Sequence, residues 1–313
     1  MRKNILNVKV SVVMITYNHE KFIKEAIEGV LIQQGNFEVE LIIADDNSPD
    51  NTECIVKDIK ANHPNGHWIK YTKHAVNKGM NKNFTWALEQ AIGEYISICE
   101  GDDYWTDPLK LQKQVDFLEA NPDYVICCHN AKIINENGEH IQDKKLPYLT
   151  EDRDYTSFEL QQGAFLLTMS LLFRNVGVVF PKEFNGVLNG DKVLISLLGN
   201  YGKGRYIENI IPAVYRVHSG GVWSSLKEFN QRLVKRKLNY AFMKYYQENE
   251  ELYSFFYNEQ RELSIYLMKN IKEAESFKSY LDFNLFYIRF NSVFSSKKKL
   301  KKFLRLSKRY WVS

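Results

Sequence analysis

The chain has 313 residues, 44% of them hydrophobic, and a formal net charge of only +4. Such a length and apolar content suffice for a sizeable core in one large domain, or one domain with an appendage. The near-neutral balance excludes a nucleic-acid binder acting through bulk electrostatics. Cys54, Cys99, Cys127 and Cys128 form no C-x-x-C pair, and the last three lie in apolar runs, so they read as reduced core thiols of a cytosolic protein. Met1 to Lys9 lacks the apolar stretch of a signal peptide, and no apolar run approaches the ~18 residues of a membrane span. The sequon-like Asn83-Phe84-Thr85 is then without consequence.

In chain order, Val8 to Thr16 is β-branched and almost uninterrupted, which predicts a buried strand. Tyr17-Asn18-His19 breaks it. Lys21 to Gln33 follows a helical period, with Phe22, Ile23, Ala26, Ile27, Val30 and Leu31 on one face. Strands are predicted at Phe37 to Ala44, Trp68 to Tyr71, Tyr95 to Cys99 and Tyr124 to Asn130. Helices are predicted at Thr52 to Asn62, Met80 to Ile92 and from Pro108, where a missing N–H costs nothing, to Asn121. This alternation predicts right-handed βαβ units and a mostly parallel sheet, which binds ligands beyond the carboxyl ends of its strands.

After Asn130 the pattern changes. Residues 131–160 read as loops and short strands, Ser170 to Arg174 as a strand, Asp191 to Leu198 as a helix, and Arg205 to Val217 as two short strands. From Ser225 onward the chain reads as helical. The expected organisation is an α/β domain over 1–224 and a helical extension over 225–313.

Two polar clusters fall at strand ends. Glu100-Gly101-Asp102-Asp103 puts three acids in four residues; these repel one another unless a cation or hydrogen-bond donors sit between them. Hard divalent ions take such oxygen ligands, and Gly101 lets the backbone turn sharply. A solvated turn with Asp107 capping the next helix would also account for the tetrapeptide. Asp45-Asp46-Asn47-Ser48 is explained, taken alone, by ordinary turn and cap chemistry. Both clusters, each after its own strand, converge on one rim.

Here the chain resembles a known family. Val10-Ser11-Val12-Val13-Met14-Ile15-Thr16-Tyr17-Asn18 looks like the opening strand of family 2 glycosyltransferases (GT2), and Ala44-Asp45-Asp46-Asn47-Ser48 like their second-strand signature. Gly93-Glu94-Tyr95-Ile96 followed by Glu100-Gly101-Asp102-Asp103-Tyr104-Trp105 resembles their metal-binding D-x-D segment. Order and spacing match from about Val8 to Asn130. The resemblance implies a GT-A fold, a Rossmann-like nucleotide-diphospho-sugar transferase architecture. It also implies a nucleotide-sugar donor, by family weight a UDP-sugar, and Mn2+ or Mg2+ as cofactor.

Residue by residue, the resemblance makes Thr16 and Tyr17, with Asn18 beside them, the lining of the base pocket. Asp46, or alternatively Asp45, would bond the base. Asp102 would contact ribose or metal, and Asp103 would be the principal metal ligand. The sequence departs from a strict D-x-D in placing Glu100 first, which leaves Glu100 facing metal, ribose or water. Asn77-Lys78-Gly79 places Lys78 either near the diphosphate or in solvent. Family members supply the general base as an acid at the start of a helix, and Asp191 in Asn189-Gly190-Asp191-Lys192 matches; the bland alternative is an acid at a favourable helix N-terminus. In Tyr215-Arg216-Val217-His218-Ser219-Gly220-Gly221-Val222-Trp223, Arg216 would bind diphosphate, His218 would complete the metal shell and Trp223 would stack on a sugar.

No G-x-G-x-x-G follows the first strand, which argues against dinucleotide oxidoreduction. Gly199 to Gly204 superficially resembles a phosphate loop but lacks its G-K-[ST] ending. Ser295 to Arg309 interleaves Lys297, Lys298, Lys299, Lys301, Lys302, Arg305, Lys308 and Arg309 with Phe303, Leu304, Tyr310 and Trp311 nearby. Such a segment suits an anionic membrane surface and a lipid-linked or saccharide acceptor at the inner face of a membrane, with no nucleic-acid partner; a solvated or packed basic helix is the alternative. Two rival functions remain. A nucleotidyltransferase is disfavoured by Tyr17-Asn18-His19-Glu20 where a Gly-rich basic loop belongs, and a non-catalytic membrane-recruited module by the retained acids.

Overall fold

The computed structural model describes residues 8–223 and 225–270. The basic segment 295–309, and with it the expected membrane contact, lies outside the described residues. The chain divides into two compact units, one running to Phe180 and resuming over Asn189–Ser219, the other made of Pro181–Leu188 and the chain from Gly220. The sequence had suggested a single boundary near Ser225.

The first unit is an α/β layer structure. Its central strands are β1 (Val8–Thr16), β2 (Glu38–Asp45), β3 (Ile69–Lys73), β4 (Tyr95–Ile98) and β5 (Tyr124–Cys128). Next come β6 (Ala131–Asn135), β7 (His140–Gln142), β8 (Arg153–Tyr155), β9 (Leu172–Arg174), β10 (Lys203–Tyr206) and β11 (Ala213–Val217). The eight-stranded sheet runs β3-β2-β1-β4-β9-β5-β10-β8, and β11-β6-β7 form a second sheet. β1 is parallel to β2 and β4, β2 to β3, and β5 to β10.

The interruption of this parallel order is β9, which pairs antiparallel with both β4 and β5. Its three residues follow a long irregular stretch, and an apolar run does not encode strand direction.

Helices α1 (Ile23–Leu31), α2 (Thr52–Asn62), α3 (Met80–Glu89), α4 (Lys110–Ala120), α5 (Ser157–Gln161) and α6 (Gly190–Leu198) complete this unit. The apolar stripe of α1 buries Ile23, Ala26, Ile27, Val30 and Leu31; each large aliphatic side chain so buried contributes about 1.5–3 kcal/mol. Gly29 lets this helix lie against the chain after the acid turn, because a Cβ there would stand 2.8 Å from the Trp105 backbone N and O. Pro108 lies before α4 rather than opening it. The Asp107 carboxylate receives Leu109 N at 2.9 Å, Ile211 N at 3.0 Å and Lys113 Nζ at 2.8 Å. Cys99, Cys127 and Cys128 are buried free thiols, while Cys54 is exposed.

In the second unit, α7 (Glu228–Tyr245) and α8 (Glu250–Lys269) pack as a helical pair. Phe242 stacks on Phe256 at 4.6 Å and meets Phe184 at 5.2 Å. Asn249 starts α8, its side chain accepting from Leu252 N. No helix among the described residues is long and apolar enough to cross a membrane.

Candidate functional site

Both polar clusters lie at carboxyl ends of the parallel strands β2 and β4, which flank β1, and two asparagines shape the turns there. Asn18 (φ 61°) and Asn47 (φ 67°) occupy the left-handed region, which asparagine tolerates better than other side chains with a Cβ. Asn18 N donates to Ser48 Oγ at 3.0 Å, joining the two turns.

The carboxylates of the second cluster build the loops. Asp45 Oδ1 accepts from Ser48 N at 2.7 Å and Oδ2 from the Tyr71 hydroxyl at 2.7 Å. Asp46 accepts from the backbone N–H groups of Lys78 at 2.6 Å and Gly79 at 2.8 Å, so it fixes the loop that enters α3. The Lys78 ammonium lies 5.4 Å from the centre of the Trp86 ring. Thr16 is buried, its Oγ1 without a partner among the described residues, and Tyr17 is half exposed at the rim.

The acid turn is set by β11. Tyr104 and Val214 form an antiparallel bridge. Arg216 N donates to Asp103 Oδ1 at 2.8 Å, and His218 Nε2 lies 3.0 Å from Asp102 Oδ2. Side chains two apart share one face of a strand. Arg216, at alternate spacing from Val214, and His218, just past the end of β11, thus both face the acid turn.

The same turn bears on the expected roles of Asp103 and Arg216. Asp103 is 2% exposed and faces the β11 backbone; burial, then the charges of Asp102 and Glu100, push its carboxyl well above the usual range. The donor atoms that converge belong to Asp102, His218 and His19, all within 4.8 Å of one another, so the ligand-like geometry gathers around Asp102 rather than Asp103. Arg216 has its guanidinium engaged within the protein. It is 5% exposed, with Nη2 on Glu25 Oε2 at 2.6 Å and Nε on the Asp102 carbonyl at 3.2 Å, and it lies over the Phe22 ring at 4.8 Å. It straps the acid turn to α1.

Electrostatics follow from this crowding. Burial works to raise Asp102, but its hydrogen bond with His218 and the nearby His19 outweigh that and hold it below the usual carboxylate range. Glu100 is pushed up to about 8 by burial and by the charges of Asp102 and Asp191, against the opposing pull of Lys145. Asp191, in the first turn of α6, is raised by burial, and Thr168 Oγ1 lies 3.5 Å from its Oδ2. Glu100 thus feels the charges of both Asp102 and Asp191. Trp223 belongs to the second unit, where its carbonyl accepts from Gln231 Nε2 at 3.2 Å and Lys235 lies 5.9 Å from its ring.

Sequence reasoning missed two residues. His19 read only as a strand breaker; its signal was a histidine directly after the Asn18 turn. Lys145 gave no signal within an irregular stretch. Its ammonium sits 3.1 Å from the centre of the Tyr215 ring; burial lowers it to about 8 against the attraction of Asp103 and Glu100. It is the cation among these acids that α/β patterning does not foretell.

Comparison with known proteins places this site in a family. The profile of Glycosyl transferase family 2 matches residues 11–176. Uncharacterized protein Rv1520 of Mycobacterium tuberculosis is 37% identical over 218 residues, covering 69% of this chain and 60% of the relative; the match therefore spans about three-fifths of that relative's length. Among solved structures, S. aureus TarS 1-349 in complex with UDP-GlcNAc aligns with a TM-score of 0.65 at 20% identity, over 90% of this chain and 80% of that one. The mannosyltransferase PcManGT from Pyrobaculum calidifontis, in complex with GDP-Man and Mn2+, aligns at 0.55 and 15% identity over 98% and 81%. At these identities the two structures establish a shared GT-A fold. With its profile match spanning the first two strand ends and the acid turn, the chain belongs to glycosyl transferase family 2.

Proposed function

We propose that this chain is an inverting, metal-dependent glycosyltransferase. It moves a sugar from a nucleoside-diphosphate sugar, foremost a UDP-sugar, to a hydroxyl of a saccharide or lipid-linked acceptor in surface polysaccharide synthesis. The observation that carries the reading is an ion-ligand group around Asp102, with Glu100 close enough to feel the charges of both Asp102 and Asp191, an acid at a helix start. TarS and PcManGT, which share the fold, were solved with nucleotide-sugars.

The residues present fit a divalent ion: Asp102 is held ionised, His218 meets it at 3.0 Å, and the part-buried His19 ring has a buried nitrogen with no partner among the described residues. Asp102, His218 and His19 would hold an Mn2+ or Mg2+ ion, which would supply stabilisation of the charge on a departing diphosphate. Asp191 accepts the acceptor hydroxyl's proton as that oxygen bonds to the anomeric carbon and the bond to the diphosphate oxygen breaks. Its burial raises its basicity, which suits that task. Thr16, Tyr17, Asn18, Asp45, Asp46 and Lys78 form the nucleotide side of the rim, and Glu100 faces the transferred sugar.

The test is incubation with a panel of UDP- and GDP-sugars and Mn2+, followed by chromatography. Slow release of a nucleoside diphosphate from one donor, accelerated by the right acceptor, is the expected outcome. Release of pyrophosphate from an NTP and a sugar phosphate would instead make the chain a nucleotidyltransferase, and inertness of the folded protein toward every donor would make it a binding module.

A further inference from the structure

We propose that His19 is a ligand of the site's divalent ion, completing with Asp102 and His218 a set of two imidazoles and one carboxylate that favours first-row transition ions over Mg2+. The ion's task rests on the glycosyltransferase reading; its ligands rest on the geometry alone.

His19 is held in place before any ion arrives. Its N–H donates to Thr52 Oγ1 at 3.2 Å. Its carbonyl accepts from Phe22 N at 2.9 Å and Ile23 N at 2.8 Å, the first turn leading into α1. Gly101 makes room for the ring over the acid turn: a Cβ there would stand 3.0 Å from His19 Nδ1 and 2.9 Å from Thr16 Oγ1.

Yet the ring is unsatisfied. Nε2 is 3.9 Å from Asp102 Oδ2, beyond hydrogen-bond reach. Nδ1 is buried with no partner among the described residues. A buried polar group left in this way is costly, and such exceptions mark a missing water, ion or ligand. His218 supplies the contrast, being in contact with the same carboxylate oxygen at 3.0 Å. Metal–nitrogen and metal–oxygen bonds of about 2.0–2.2 Å space the ligands of one shell roughly 3–4 Å apart. The three donor atoms, within 4.8 Å of one another, need only a small closure to share one ion.

The donor set then decides which ion. Mg2+ demands oxygen ligands in near-ideal octahedral geometry. Imidazoles suit later transition ions, and affinity at such sites rises from Mn2+ through Co2+. Replacing the His19 ring with an amide or a methyl leaves the carboxylate and one imidazole, a poorer and less selective set.

The experiment uses chelator-stripped full chain without nucleotide. Mn2+ binding is followed by the EPR signal of the free ion, and Co2+ binding by its visible absorption, for wild type, His19→Gln and His19→Ala, with circular dichroism to establish folding. Wild type is expected to bind Mn2+, to release it to Co2+, and to keep it against a large excess of Mg2+. Both variants are expected to lose at least about tenfold in Mn2+ affinity and to change the Co2+ spectrum. Wild-type affinity and spectrum in both folded variants, ready displacement by Mg2+, or no ion binding by wild type would each overturn the proposal. Nucleoside-diphosphate binding in the same preparations separates the two readings. Ion binding through His19 without any nucleotide binding would keep this proposal and remove the glycosyltransferase; sugar transfer with His19-independent ion binding would do the reverse.

Discussion

Asp191→Asn is expected to lower sugar transfer by about 10²–10⁴-fold, the contribution of a positioned general base, and to leave donor binding unchanged. The amide is nearly isosteric, keeps a polar group in the first turn of α6, and retains the contact with Thr168 Oγ1. What it loses is the capacity to take a proton. Asp191 is not among the residues whose donor atoms cluster for an ion, so nucleotide affinity has no reason to move. The check is a pair of measurements on one preparation: turnover with donor and acceptor, and a nucleoside-diphosphate titration. Turnover within a few-fold of wild type would take the base role from Asp191. Loss of both turnover and nucleotide binding would mean that Asp191 builds the pocket instead.

Arg216→Ala is expected to destabilise the first unit by about 2 kcal/mol and to weaken ion-dependent donor binding with it. The guanidinium makes a charge-assisted bond to Glu25 at 2.6 Å and a second bond to the Asp102 carbonyl at 3.2 Å, and it covers the Phe22 ring. Bonds to charged groups contribute roughly 1.5–3 kcal/mol, and a contact with a ring adds about 0.5–1 kcal/mol. Glu25 is half exposed and rehydrates when abandoned, which keeps the loss toward the lower end. Arg216→Lys should behave nearly as badly, because one ammonium cannot serve two acceptors in a fork and lie flat on a ring. Denaturant midpoints and donor titrations for both variants check this. An unchanged midpoint together with lost diphosphate affinity would instead restore Arg216 as a direct ligand of the donor.

Much of the fold was legible because its first half is regular. VKVSVVMIT is a strand by composition and is one over Val8–Thr16. Thr52–Asn62 is helical by period and by structure. The α/β alternation up to Cys128 determines which strand ends share a rim, and both acid clusters lie there. The antiparallel β9 was not legible, because its direction depends on a path the apolar pattern does not record.

Within the site, the motif singled out Asp102 and His218, and the structure puts them in contact at 3.0 Å. The convergence of His19 with Asp102 was not foreseeable, since which of two adjacent acids meets His19 and His218 depends on the long-range bridge of Tyr104 to Val214. Arg216 is ambiguous for a related reason, since a basic residue beside an acid turn reads equally well as a ligand or as a strap, and its burial against Glu25 and Phe22 favours the strap.

The most direct test of the account is donor binding measured by thermal shift with UDP, GDP, CMP and dTDP, with and without Mn2+, on wild type and on Asp102→Asn. A ligand that binds only the folded state must raise its apparent stability. The account predicts that one nucleoside diphosphate raises the melting temperature only when Mn2+ is present, and that Asp102→Asn abolishes the shift while remaining folded. A shift that ignores the ion and survives in Asp102→Asn, or no shift with any of the four nucleotides, would contradict it.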